Sequence, residues 1–236
     1  MQHQGVHYET RTVFRGPGYA ISTRRLELDV SVVRRELEIV WDDLHANAVR
    51  VVGSDVGRVT AVAEIALGLG REVWFSPAFF GYSLEQTAAR LIAAADAAGL
   101  LYTAQPGRVV FVAGSELTLI TLGLIVGKSV TERPRRLKAD PVQLSNGKLD
   151  EDLAVLMPRL RRVFDGPLTY ASLTFEQADW GRFDYVGVDH YREARTKDRY
   201  VEMFQPFRSM DMPMIVTEFG MRTYRGAESP GTLGSG

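Results

Sequence analysis

The chain of 236 residues contains no cysteine, which excludes disulfides and thiolate metal sites and agrees with a reducing compartment. Nor is there a surplus of charge of one sign. Lys and Arg number 28 against 29 Asp and Glu, a net charge of −1, so no global field draws the chain to nucleic acid or to an anionic membrane. Long hydrophobic runs are missing as well. The longest, over 117–127, is about half of what a helix needs to cross a bilayer, and Thr118 and Thr121 interrupt it. The start, Met1-Gln-His-Gln-Gly, has neither a basic region nor an apolar one, so no secretory signal is read and a cytoplasmic location is expected. No Gly-x-Gly-x-x-Gly follows any early strand, which leaves a doubly wound dinucleotide-binding sheet, the runner-up fold, without its fingerprint. No cofactor is implied.

What is present is the composition of an ordinary globular enzyme, 45% apolar and 24% charged, in a repeating order of short apolar runs and amphipathic segments. Gly5-Val-His-Tyr8 forms a first strand that ends at Glu9, and Gly16-Pro-Gly18 marks a loop. A helix capped by Asp29 or Ser31 carries Val32, Val33, Leu37, Val40, Trp41 and Leu44 at near-helical spacing. The second strand, 48–53, sets Arg50 among apolar residues, where a cation needs a partner. A helix over 58–69 stops at Gly70 and leads to a third strand, 72–77. Ser83-Leu-Glu-Gln86 is a capping box opening an Ala-rich helix that runs to Gly99.

The fourth strand, 108–116, ends in an acid, Glu116. The segment 117–150 reads as a long loop with a short helix at its start, and its basic run, Arg133 to Lys138, as a solvated stretch or a site for an anion. A helix over 149–164 should be kinked or restarted by Pro158. The fifth strand is 168–173, and Thr174-Phe-Glu-Gln177 caps a short helix. The sixth strand, 185–191, closes on Asp189, His190 and Tyr191. A helix over 198–210 and a seventh strand, 213–219, follow, and that strand ends in Glu218. Strand and helix alternating in this way predict a parallel sheet with helical crossovers. The fold expected is a (β/α)8 TIM-barrel-like domain over 1–227 that lacks its last β/α unit, with a flexible tail at 228–236. Its open edge at the seventh strand predicts a second copy or a partner chain laid against it.

In a parallel barrel, residues at the C-terminal ends of the strands meet at one mouth, so Glu116 and Glu218 should face each other. Two facing carboxylates suit glycoside hydrolysis. One donates a proton to the leaving oxygen and the other attacks the anomeric carbon, and about 5–5.5 Å between them fits retention where roughly 6.5–9.5 Å fits inversion. An arginine filling the gap would favour a binding role. His190 and Asp189 read either as a hydrogen-bonded pair at the rim or as substrate contacts, and His7 and Tyr8 either as mouth residues or as core with a polar tip outward.

These residues resemble a known family. An acid at the end of strand four, an aromatic after strand six and Thr217-Glu-Phe-Gly220 on strand seven look like the retaining (β/α)8 glycoside hydrolases of clan A. The resemblance implies Glu116 as acid/base, Glu218 as nucleophile, Arg50 as support for the nucleophile, Tyr191 as its hydrogen-bond donor, and a carbohydrate or other small molecule as substrate. Where that family has Asn before the acid, this chain has Ser115. A further resemblance is to actinobacterial proteins labelled "abortive infection protein", through Leu44-His-Ala-Asn-Ala-Val-Arg50, Phe183-Asp-Tyr-Val-Gly-Val-Asp-His-Tyr-Arg192 and Thr217-Glu-Phe-Gly-Met-Arg-Thr-Tyr-Arg-Gly-Ala227; the label names no chemistry. Two other classes stay open: a cyclase or isomerase reusing the carboxylate pair on a non-sugar substrate, and a binding protein whose glutamates only pair with Arg50, Arg192 or Arg222. A metal-dependent barrel using Glu116, Asp189, His190 and Glu218 lacks a recognisable ligand spacing, so no metal is expected.

Overall fold

A computed structural model describes residues 3–16, 19–22, 27–127, 132–133, 146–192 and 197–220. After β1 (Gly5–Arg11) comes an antiparallel hairpin, β2 (Val13–Gly16) and β3 (Tyr19–Ser22), and then α1 (Val30–Asp42). Strand and helix alternate from there: β4 (Ala48–Gly53), α2 (Val56–Gly68), β5 (Glu72–Pro77), α3 (Leu84–Ala104) and β6 (Val109–Ser115). The one-turn α4 (Leu117–Ile120), α5 (Asn146–Leu160), β7 (Leu168–Leu173), β8 (Val186–Asp189), α6 (Gln205–Arg208) and β9 (Met214–Glu218) complete the order. Seven strands form one parallel sheet, β1-β4-β5-β6-β7-β8-β9, curled into a half-barrel with helices between successive strands. The TIM-barrel-like expectation holds. Among the described residues β1 and β9 are the two edges, each paired on one side, and no helix is long and apolar enough to cross a membrane.

The period of two along each strand sorts the side chains. Val49, Val51, Val73, Phe75, Val109, Phe111, Leu168 and Tyr170 face the helices and form the main core with Leu37, Val62, Leu91, Leu153 and Phe164. Ala48, Trp74, Val110, Val112 and Ala171 face inward and fill the floor of the half-barrel. Arg50 and Ser76 share the inward parity of Ala48 and Trp74, and each stands one inward step closer to the strand's C-terminal end. Parity also separates His7 from Tyr8. His7 lies opposite Arg50 and faces inward, whereas Tyr8 is buried on the helix side and donates to Glu36 on α1 at 2.5 Å.

Several local expectations are corrected. Gly16, expected in a loop, is the last residue of β2 and pairs with Tyr19 of β3; Pro17 and Gly18 lie outside the described residues. Helix α3 does not stop at Gly99 but continues to Ala104. Gly99 is needed there because a Cβ would come within 2.4 Å of the Val163 carbonyl oxygen of the chain crossing it. Pro158 falls in the last turn of α5, which runs through to Leu160 unbroken. The helix expected over 198–210 is a 3-10 turn, Glu202–Phe204, followed by α6 with Pro206 in its first turn. No helix begins at Thr174; the next helical turn is the 3-10 turn Trp180–Arg182. Of the basic run only Arg133 is described. It is buried and donates to the carbonyls of Leu119 and Gly127, while 134–138, like the tail and Arg222, lies outside the described residues.

Candidate active site

Two irregularities at strand ends bring the acids together. Opposite β7 the register of β6 shifts between Val112 and Ser115, with Gly114 at φ +108, so that Ser115 takes the inward position opposite Ala171. Glu116 follows in the left-handed region, φ 45 and ψ 40, and α4 starts at once behind it. On the other side the β8–β9 register shifts between Val188 and Asp189. Thr217 and Glu218 therefore both reach Asp189: the Thr217 hydroxyl donates to Asp189 Oδ1 at 2.6 Å, and Glu218 is its register partner.

Arg50 rises between these ends. Its Nη1 donates to Glu218 Oε1 at 2.8 Å and to the Thr217 carbonyl at 3.1 Å, its Nη2 to Ser115 Oγ at 2.6 Å, and its Nε to Ser76 Oγ at 3.1 Å. Such a fork fixes the guanidinium and through it the nearer oxygen of Glu218. Tyr191 donates its hydroxyl to the other oxygen, Oε2, at 2.5 Å. His7 Nδ1 stands 3.8 Å from Glu218 Oε1 across the open side; partial burial and the Arg50 charge lower its pKa.

The three acids differ in environment. Burial alone would raise the pKa of Glu218, but the Arg50 charge and the Tyr191 hydrogen bond outweigh it and hold Glu218 below the usual carboxylate range. Glu116 goes the other way: burial, then the charges of Asp189 and Glu218, push it well above that range. No side-chain hydrogen bond engages the Glu116 carboxyl among the described residues, so nothing there competes for its proton. Asp189 is pushed up to about 8, by burial first and by the Glu218 charge as well. Its 3.7 Å to Arg50 Nη1 is too long for a hydrogen bond, and among the described residues Oδ2 has no partner, which a neutral carboxyl tolerates better than an anion does. Burial and the Glu218 charge raise Tyr191, which keeps it protonated and a donor.

Glu116, Asp189 and Glu218 each place an oxygen within 4.8 Å of the others, a spacing that could collect a divalent cation. Arg50 already supplies the counter-charge to Glu218 from within the sheet. Among the described residues its hydrogen bonds run to Glu218, Thr217, Ser115 and Ser76, and none to the Glu116 carboxyl.

Solved structures share this arrangement of strands. A GH113 beta-1,4-mannanase superposes with a TM-score of 0.61 at 14% identity, over 97% of this chain and 75% of that one. AaManA, the GH113 beta-mannanase of Alicyclobacillus acidocaldarius, gives 0.61 at 14%, over 96% and 74%. Beta-glucuronidase 2 of Bacteroides uniformis gives 0.58 at 14%, over 95% of this chain and 26% of that chain. Likeness at this level shows a TIM-barrel-like fold shared with these proteins. At the level of sequence no family model and no curated protein matches the chain.

Of the residues singled out from sequence, the half-barrel gathers Glu116, Glu218, Arg50, Tyr191, Asp189, Ser115 and His7 at one mouth. Tyr8 and His190 are engaged elsewhere. The His190 ring stacks on Tyr200 at 4.3 Å between centroids, meets the Phe204 edge and pairs its Nε2 with the Tyr200 carbonyl, while its backbone N–H donates to the Glu218 carbonyl. Sequence gave no sign of Ser76, Thr217 or Glu176 as members of the network. Period-two counting from Trp74 would have turned Ser76 inward; Thr217 needed the bulge, and Glu176 carries the signature of a helix start.

Proposed function

We propose that the chain is a retaining glycoside hydrolase in which Glu218 is the nucleophile and Glu116 the acid/base, acting on a carbohydrate substrate. The observation that carries this reading is the opposed tuning of two neighbouring carboxyls. Glu218 is kept ionised by Arg50 and Tyr191, and Glu116 is kept protonated by burial and neighbouring charge. One oxygen of each lies within 4.8 Å of one of the other, close enough for direct attack and a covalent glycosyl intermediate. Glu116 would protonate the leaving oxygen in the first step and take a proton from water in the second. The β-linked substrates named for the mannanases and glucuronidases of the same fold make β-glycosides the first class to try.

Aryl β-mannosides, β-glucosides and β-glucuronides form the test panel. On a substrate that the parent cleaves, Glu218→Gln should lower kcat by more than about 10⁴-fold while binding persists. Glu116→Gln should lower it by about 10²–10⁴-fold, with added azide restoring the second step. Full activity of Glu218→Gln would remove the nucleophile assignment.

One observation favours a second reading. The Ser115 hydroxyl, in the position where the family resembled has an amide for the sugar 2-hydroxyl, already accepts from Arg50 at 2.6 Å. A site without that contact suits the same acid and base moving a proton on a non-sugar substrate, as in a cyclase or isomerase, and inactivity across the glycoside panel with ligand binding retained would point there.

A further inference from the structure

Behind Glu116, on the side away from the mouth, lies a second buried acid with an unusual set of partners. Glu176, in the loop after β7, is 3% exposed. Its Oε1 accepts from the Thr118 N–H at 3.1 Å and from the Thr118 hydroxyl; its Oε2 accepts from the Leu173 N–H at 2.8 Å and from the Tyr170 hydroxyl at 3.0 Å. The two N–H groups can only donate, and with both hydroxyls donating as well the four contacts favour the ionised carboxylate against the burial that raises its pKa. The Tyr170 oxygen in turn accepts from the Leu117 N–H at 2.8 Å.

The two residues that follow Glu116 are thus tied down through their N–H groups, Leu117 by Tyr170 and Thr118 by Glu176. The Glu116 N–H is held by the Ala171 carbonyl at 2.8 Å. Those N–H groups belong to the first turn of α4, where the helix itself supplies no acceptor. Between the two anchors the chain has to turn through a left-handed residue, and that residue is Glu116. A glutamate adopts this backbone at a penalty and keeps it only where its surroundings over-determine it.

We propose that Glu176 is a positioning residue for Glu116: with Tyr170 it fixes the left-handed turn that aims the acid into the mouth, and its negative charge faces that acid from behind. The proposal rests on Glu116 being the proton donor of the reaction. Glu176 itself touches neither substrate nor reacting atoms. The other charged or titratable groups facing Glu116 are Asp189 from β8, Glu218 from β9, Arg50 from β4, Tyr170 from β7 and Tyr191 after β8. Of these, Arg50 alone opposes protonation of Glu116, and Glu176 joins Asp189 and Glu218 in favouring it.

Glu176→Gln tests both halves. The amide fills the same space but turns an N–H₂ toward one pair of donors and carries no charge. In the full chain, kcat/KM, which reports the first step alone, should fall by about 10²-fold for phenyl β-mannoside, whose leaving group needs a proton. The value for 2,4-dinitrophenyl β-mannoside, whose leaving group needs none, should stay within about threefold. Equal losses on both substrates, or no loss on either, would overturn the proposal. If Glu176→Gln does not fold, Tyr170→Phe, which removes one oxygen from the same chain of contacts, should show the same split between leaving groups.

A readout independent of turnover accompanies these. The Glu116 carboxyl is followed by infrared difference titration against Glu116→Gln, and Glu176→Gln should move its midpoint down by about one pH unit or more. An unmoved midpoint overturns the electrostatic half. Should the parent cleave no glycoside at all while the midpoint still falls, the positioning of Glu116 by Glu176 stands and the hydrolase reading is what fails.

Discussion

Asp189 shows how one residue sets the charge state of its neighbours. It is buried beside Glu218 and Arg50, its pKa raised to about 8, so near neutral pH it is largely uncharged and the guanidinium is left to Glu218. A carboxyl whose folded pKa lies above its unfolded value adds stability that is complete below the unfolded pKa, about 4, and lost as pH rises through the folded one. Glu116 acts in the same direction and Glu218 in the opposite one: its contribution is present above the unfolded pKa and lost as pH falls through a lower folded value. The parent should therefore lose stability steadily between about pH 4 and pH 8. Asp189→Asn, which fixes the neutral form, should flatten that decline in urea unfolding followed across the range; an unchanged slope would show that Asp189 is ionised throughout. Glu116 and Glu218 were legible in sequence because a strand's C-terminal end and an acid are local facts, whereas Tyr191, Ser115 and the supporting role of Arg50 were implied by the resemblance to the clan A hydrolases. Glu176 was neither, because Thr174-Phe-Glu-Gln177 satisfies a helix-start pattern locally, and only the tertiary position of Thr118 and Tyr170 turns that glutamate inward.

Elements obeyed composition where their own residues decided the outcome and departed from it where a neighbour did. The capping box at Ser83 and Gln86 formed because both its hydrogen bonds are internal to the first turn. Gly99, read as a helix end, lies inside α3, since what it answers is the carbonyl of Val163 from another segment, invisible in the run of alanines around it. Replacing it tests that account. Gly99→Ala gains about 1 kcal/mol of helix propensity, yet its Cβ would meet backbone that cannot swing aside, for which overpacking costs of roughly 1–3 kcal/mol apply. The urea midpoint should fall at unchanged m, a net loss of about 1 kcal/mol. A raised midpoint would mean that the 163 segment yields freely. The β2–β3 hairpin was missed for a related reason: four-residue strands flanking Gly16-Pro-Gly18 have too few positions for a period to show.

For the molecule as a whole, alternation of strand and helix was enough to give the parallel sheet, its order and its curl, and with them the mouth at which distant acids meet. How far the curl goes was not legible, because it depends on bulges and register shifts. It brings His7 on the first edge strand to 3.8 Å from Glu218 on the last. What the fold spends at that mouth is visible in the backbone of Glu116. Left-handed backbone costs a residue with a side chain roughly 1–2 kcal/mol, and glycine escapes nearly all of it. Glu116→Gly should therefore melt at a higher temperature than the parent and catalyse nothing, and calorimetry on the pair would show it; a lower melting point would mean that the buried acid repays its own turn. One codon away from this protein, then, lies a sturdier and chemically silent twin. If Glu116 is the proton donor proposed above, the strain in its backbone is the cost of holding that donor at the mouth.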